Sequence, residues 1–144
     1  RARSGSSAAS VLAGVRRGAW VVADDPAPDV VLLATGSEVA LALAARAELA
    51  GRGVAARVVS APCLEWFAEQ DAAYRDAVLP PGLRARVAVE AGVDQGWYRY
   101  VGLDGRVVGV TDFGLSGAGD AVLAARGIHR DAVVEAALAC LGRA

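Results

Sequence analysis

The sequence predicts an α/β fold, a three-layer sandwich with helices on both faces of a mainly parallel sheet of about five strands, the first strand antiparallel. Three observations point there. Strand-sized apolar, β-branched runs recur at residues 30–35, 55–60, 86–90 and 107–111. Helix-sized segments lie between them, and this alternation of strand and helix builds βα units. Glycine and proline mark the junctions, at Gly51, Gly53, Pro62 and Pro80-Pro81-Gly82.

Residues 1–18 are rich in Ser, Gly and Arg and are expected to form a linker or lead-in from a missing upstream domain, with a helical turn near 8–15. Residues 19–144 form the domain. A short strand is expected at 20–24, and Asp25-Pro26-Ala27-Pro28-Asp29 then breaks the chain before the strand at 30–35. Five residues cannot return a chain for parallel pairing, which takes about a dozen. Direct pairing of these two strands would therefore be antiparallel. A helix over 37–50 stops at Gly51 and Gly53, both good helix-ending positions. Helical segments at 64–78 follow the third strand. Residues 95–101 read as helix, and Gly102-Leu103-Asp104-Gly105 reads as a hairpin-type turn. Helices at 119–126 and 130–141 end the chain.

Composition excludes several functions. The formal net charge is −1 with acids and bases interspersed, which predicts no nucleic-acid partner and no anionic membrane surface. No apolar run approaches the roughly 20 residues of a membrane span, and the start lacks the pattern of a secretory signal, so a cytoplasmic location is expected. Cys63 and Cys140 have no paired spacing and read as thiols of a cytosolic protein. All 15 basic residues are Arg. Without Lys there is neither a lysine-type phosphate loop nor a Schiff base. A single histidine, His129, cannot build a multi-histidine metal site. The absence of Lys, Asn and Met, with Ile at 128 only, suggests a GC-rich genome and hence a high-GC bacterium. A start at Arg1 rather than Met suggests a cut N-terminus.

Ligands of open parallel sheets bind beyond the carboxyl ends of the strands. Those ends are Thr35-Gly36-Ser37-Glu38, Ser60-Ala61-Pro62-Cys63, Glu90-Ala91-Gly92 and Thr111-Asp112-Phe113-Gly114. Thr35 and Glu38 have capping-box spacing, and free amides at Thr35, Gly36 and Ser37 would attract an anion, although such a box is first a helix-starting device. The glycine-rich stretch from Gly114 to Gly119 departs from G-x-G-x-x-G, because Val122 takes the third glycine's place; a flexible loop is expected. Cys63 follows Pro62 at a helix start, a setting that can lower a thiol pKa, but no histidine lies near it in sequence. Trp97, Tyr98 and Tyr100 fall within four residues, so one or two should meet a neighbouring surface. Leu41 and Leu49 share an arc with Glu38, Arg46, Glu48 and Arg52 at 100° per residue, a second candidate interface.

Several stretches in register, taken together, resemble the C-terminal third of transketolases. They are residues 28–39 (PDVVLLATGSEV), 57–67 (RVVSAPCLEWF), 70–75 (QDAAYR), 78–81 (VLPP), 85–92 (ARVAVEAG) and 97–103 (WYRYVGL), with the Phe113-Gly114-x-Ser116 turn beyond them. The resemblance implies an enzyme family that transfers two-carbon ketol units between sugar phosphates in the pentose phosphate pathway, using thiamine diphosphate and magnesium. It implies that cofactor and metal lie between the two preceding domains, that this domain is non-catalytic, and that the enzyme is a homodimer. The partners would be those domains, in the same chain or as a separate catalytic subunit. No catalytic, cofactor-binding or metal residue is expected in this chain, which has neither the Gly-Asp-Gly of the metal motif nor any Asn. Departures lie at Gly117-Ala118-Gly119, where relatives have Ala-Pro-Gly, and at His129, where Thr often caps the helix. The alternative is an assembly or anion-sensing module of another thiamine diphosphate enzyme, such as a 2-oxoacid dehydrogenase β subunit.

Overall fold

A computed structural model describes residues 7–110 and 119–143, Asp120 by its backbone only. The expected strand end at 111–114, the glycine-rich loop and the Phe113–Ser116 turn lie outside the described residues.

Helix α1 (Ala8–Arg16) precedes strand β1 (Trp20–Ala23). Ser7 caps α1 by accepting from the Ser10 amide. Gly14 packs so closely on the Trp20 ring that a Cβ would overlap it. The lead-in is thus a two-turn helix seated on the first strand. There follow β2 (Val30–Ala34), α2 (Glu38–Gly51), β3 (Ala56–Ser60), α3 (Leu64–Ala68), α4 (Ala72–Val78) and β4 (Arg86–Val93). A 3-10 turn at Gln95–Trp97 leads into α5 (Tyr98–Val101), then β5 (Arg106–Val110), α6 (Gly119–Ala125) and α7 (Arg130–Cys140).

The five strands run in the order β1-β3-β2-β4-β5. All pairs are parallel except β1 with β3. β1 therefore joins the edge beside β3, and β2 takes the centre. Every residue of β2 is buried, as expected of a strand covered on both faces. Its side chains alternate. Val30, Leu32 and Ala34 join Ala42, Ala45 and Leu49 of α2 and Val133, Val134 and Ala137 of α7. Val31 and Leu33 face Phe67, Val78, Leu79, Trp97 and Val101.

Two sequence expectations need correction. Gly102–Gly105 is a turn but not a hairpin, because it joins α5 to β5, and β5 runs parallel to β4. β4 also continues beyond Glu90 to Val93, across an irregularity in its pairing with β5.

Candidate functional site

Three strand ends are described, and at two of them a carboxylate of the chain itself takes up the free donors. At the end of β2, Gly36 turns the backbone with φ of +55°, a conformation that costs glycine little. The expected capping box does not form. Ser37, not Thr35, sits at the N-cap position, and no side chain caps the helix there. The amides of Glu38, Val39 and Ala40 instead bond back to the carbonyls of Thr35, Gly36 and Ser37 at 3.1, 3.4 and 3.3 Å. Glu38 is only 4% exposed and accepts from the Ser37 hydroxyl at 2.6 Å. The helix start therefore already has a carboxylate at its positive end. A cleft of about 240 Å³ beside it, lined by Ser37, Ala40, Leu41, Leu123, Ile128 and His129, is largely apolar.

Where the regular pairing of β4 with β5 breaks, Glu90 works as a clamp. One carboxylate oxygen accepts from the Gly92 amide at 2.7 Å, and the other from Trp97 Nε1–H at 2.9 Å. This decides where the aromatic cluster points. Trp97 is 3% exposed and belongs to the core, so the expectation that it faces a partner is corrected. The sequence showed three aromatics that one helical face could not hold; the 3-10 turn rotates the indole inward, where Glu90 satisfies its N–H. Tyr100 is part-buried beside that core, its ring 5.9 Å from Phe67 and its hydroxyl donating to the Leu64 carbonyl at 3.1 Å. Tyr98 is the exposed member, at 54%. Its hydroxyl donates to Asp94 at 2.8 Å, and that hydrogen bond to a carboxylate raises the phenol above its ordinary range.

Leu49 is fully buried and Leu41 is packed against the same core. The arc they share is the core-facing side of α2, not a solvent face. Its charged members mislead because the protein itself partners them. Arg46 reaches the Ala56 carbonyl, the Asp24 carbonyl and Asp25 at 2.9, 3.0 and 2.8 Å. Glu48 and Arg52 pair with each other four residues apart.

At the end of β3, Cys63 caps α3 through its backbone only. Its thiol lies 3.5 Å from the Glu65 carboxylate, with no histidine beside it to act as base. Cys140 is the other free thiol; burial pushes its pKa up. His129 does cap α7, accepting the Ala132 amide on Nδ1 at 3.2 Å. That geometry uses a neutral ring with its proton on Nε2. Sequence reasoning missed the Glu90 clamp. It also missed a cleft of about 290 Å³ that Arg75 and Arg99 line together, because α4 and α5 are far apart in the chain.

With this geometry in place, residues 18–129 match the family described as the transketolase-like TK C-terminal domain. The chain belongs to the transketolase C-terminal domain family. It is 48% identical to a transketolase of Mycobacterium leprae over 129 residues, covering 86% of this chain and 18% of that protein. Among solved structures, a transketolase from Leishmania mexicana superposes with a TM-score of 0.81 at 42% identity, covering 93% of this chain and 19% of that one. A Pichia stipitis transketolase in complex with sedoheptulose 7-phosphate superposes with a TM-score of 0.84 at 31% identity, covering 96% and 20%. The chain spans about a fifth of the length of the relatives it matches. In this transketolase C-terminal domain, then, Glu38 and Glu90 occupy the ends of two of the described strands.

Proposed function

We propose that this chain is the non-catalytic C-terminal domain of an enzyme that transfers two-carbon ketol units between sugar phosphates. The observation that carries the reading is the family match over residues 18–129. The sugar complex of the Pichia stipitis relative supports the substrate class. A chain matching only a fifth of its relatives leaves thiamine diphosphate and its magnesium to the other domains. The residues present do not fit that cofactor. The sequence has no Asn, no Lys and no Gly-Asp-Gly. Among the described residues, no group of three His, Cys, Asp or Glu is placed to hold a metal ion.

What the domain supplies is a rigid body whose surface meets its neighbours. Residues 1–18 connect it to the preceding domain, and within them α1 is seated on β1 through Gly14 and Trp20. Residues 19–144 are the structural unit, and the assembled enzyme is a cytoplasmic homodimer. In this reading exposed Tyr98, rather than Trp97 or Leu49, contributes to contact with a partner, and Glu38 gives the Thr35–Ser37 turn a structural role.

An assay coupled to xylulose 5-phosphate tests the proposal when run on this chain and on the chain joined to its upstream sequence. Turnover is expected only from the longer protein. Turnover by this chain alone, or none by the longer protein with cofactor and magnesium, contradicts it.

A further inference from the structure

Six of the arginines have acceptors placed by the fold. Arg57 bonds Asp24 and the carbonyls of Ala77 and Val78, and Arg86 bonds four carbonyls. Arg46, Arg52, Arg84 and Arg130 each pair with a carboxylate. Arg75 and Arg99 do not follow this pattern. Neither makes a side-chain hydrogen bond or ion pair among the described residues, and both line the same open cleft. The Arg99 guanidinium carbon lies 5.8 Å from the Tyr100 ring centroid. The Nε of Arg75 is buried, and no described group accepts from it.

A buried N–H without an acceptor is rare, because the lost hydration is not replaced. Here that N–H belongs to a permanently charged group. Phe67, Ala68 and Leu79 also line the cleft, with Phe67 and Leu79 buried. Their side chains offer the two cations no oxygen, and low-dielectric surroundings strengthen the field of a charge beside them. One carboxylate, Asp76, also lines the cleft. It lies beyond ion-pair distance of both arginines, so the cleft keeps an excess of positive charge.

We propose that this cleft binds the phosphate group of a phosphorylated small molecule, held between Arg75 and Arg99. Guanidinium forks match phosphate oxygens in pairs. A tetrahedral dianion presents oxygens to two forks at once, whereas a carboxylate presents two oxygens in one plane. The cleft's volume of about 290 Å³ exceeds one phosphate and leaves room for a short organic group beside Tyr100. Because the arginines come from α4 and α5, binding ties together two short helices that are separate in sequence.

Titration of the chain with glycerol 3-phosphate or inorganic phosphate, followed through the arginine Nε–Hε resonances, tests the proposal. Both probes should shift the Arg75 resonance saturably at millimolar concentration. Arg99→Gln, at an exposed position, should weaken binding about tenfold, the loss of one charged fork. Arg75→Gln should abolish it, and glutarate should bind at least tenfold more weakly than glycerol 3-phosphate, for the same pairing reason. No saturable shift of the Arg75 resonance overturns the proposal. So does equal affinity in Arg99→Gln, or glutarate binding as tightly as the phosphate ester, which would make the cleft a carboxylate seat.

Discussion

The two faces of the sheet are closed in different ways. One is covered by α2 and α7, of 14 and 11 residues, and its buried core among the described residues is Ala, Val, Leu and Ile, with Cys140 packed against it. The other is covered by α3, α4 and α5, of 5, 7 and 4 residues, and it holds Phe67, Trp97, Tyr74 and Tyr100. The contrast follows from helix length. A long helix satisfies most of its backbone internally, while a short one is nearly all ends, with up to four unpaired carbonyls at its C-terminus. The first face therefore needs only apolar volume. The second needs donors with reach, and it has them. Arg86 gathers the carbonyls of Leu79, Pro80, Leu83 and Tyr100; Arg57 takes those of Ala77 and Val78; Tyr74 takes that of Ala19 at 2.8 Å.

The largest expected effect breaks the stapled face. Arg86→Leu should cost about 3–4 kcal/mol in urea unfolding, since several carbonyls lose their donor at once. Burial lowers the Arg86 pKa, the sign of a guanidinium drawn out of water to do this. Arg86→Lys should recover little, because one ammonium lacks the fork that spans four acceptors. On the other face, Leu49→Ala should cost about 3 kcal/mol through the cavity it leaves. Leu49→Met, which keeps the volume, should cost less than about 1.5 kcal/mol. If Arg86→Lys were as mild as Leu49→Met, the distinction between the faces would fail.

A smaller effect is expected at Trp97. Trp97→Phe keeps much of the ring but removes the donor to Glu90, and should cost about 1 kcal/mol with a local loss of amide protection around Gly92. Little change would mean that the Glu90 clamp is incidental.

The smallest effect is one of pH. Burial raises the Tyr74 phenol above its ordinary 10.0, with nearby Arg17 opposing it. A pKa raised by folding means that the protonated hydroxyl is the favoured native form. Its contribution is complete below pH 10.0 and is lost as pH rises through the higher folded value. Thermal scans should show a small alkaline decline that Tyr74→Phe flattens. An identical decline in that variant would assign it elsewhere.

How far the sequence could be read follows the same division. The aliphatic face was legible, because β-branched runs and long helices have clear periods: the strands at 30–34, 56–60 and 86–90 and the helix ending at Gly51 lie where expected. The stapled face was harder. The helical segments expected at 64–78 are α3 and α4, but their parting at Glu69–Asp71, where the Asp71 side chain caps the second, had no clear period to mark it. Trp97 was read as outward because its partner, Glu90, lies across a turn whose 3-10 geometry no periodicity announces. Glu38 and Leu49 were placed on a charged arc, yet tertiary packing puts that arc against the sheet. The Arg75–Arg99 cleft needs two helices brought together, and no spacing in the chain encodes it.

The central claim is that this domain gives an enzyme shape and contact rather than cofactor chemistry. Calorimetric titration of the chain with thiamine diphosphate in the presence of magnesium tests it most directly. No saturable heat is expected. A saturable isotherm with one site per chain would place cofactor binding in this domain and contradict it.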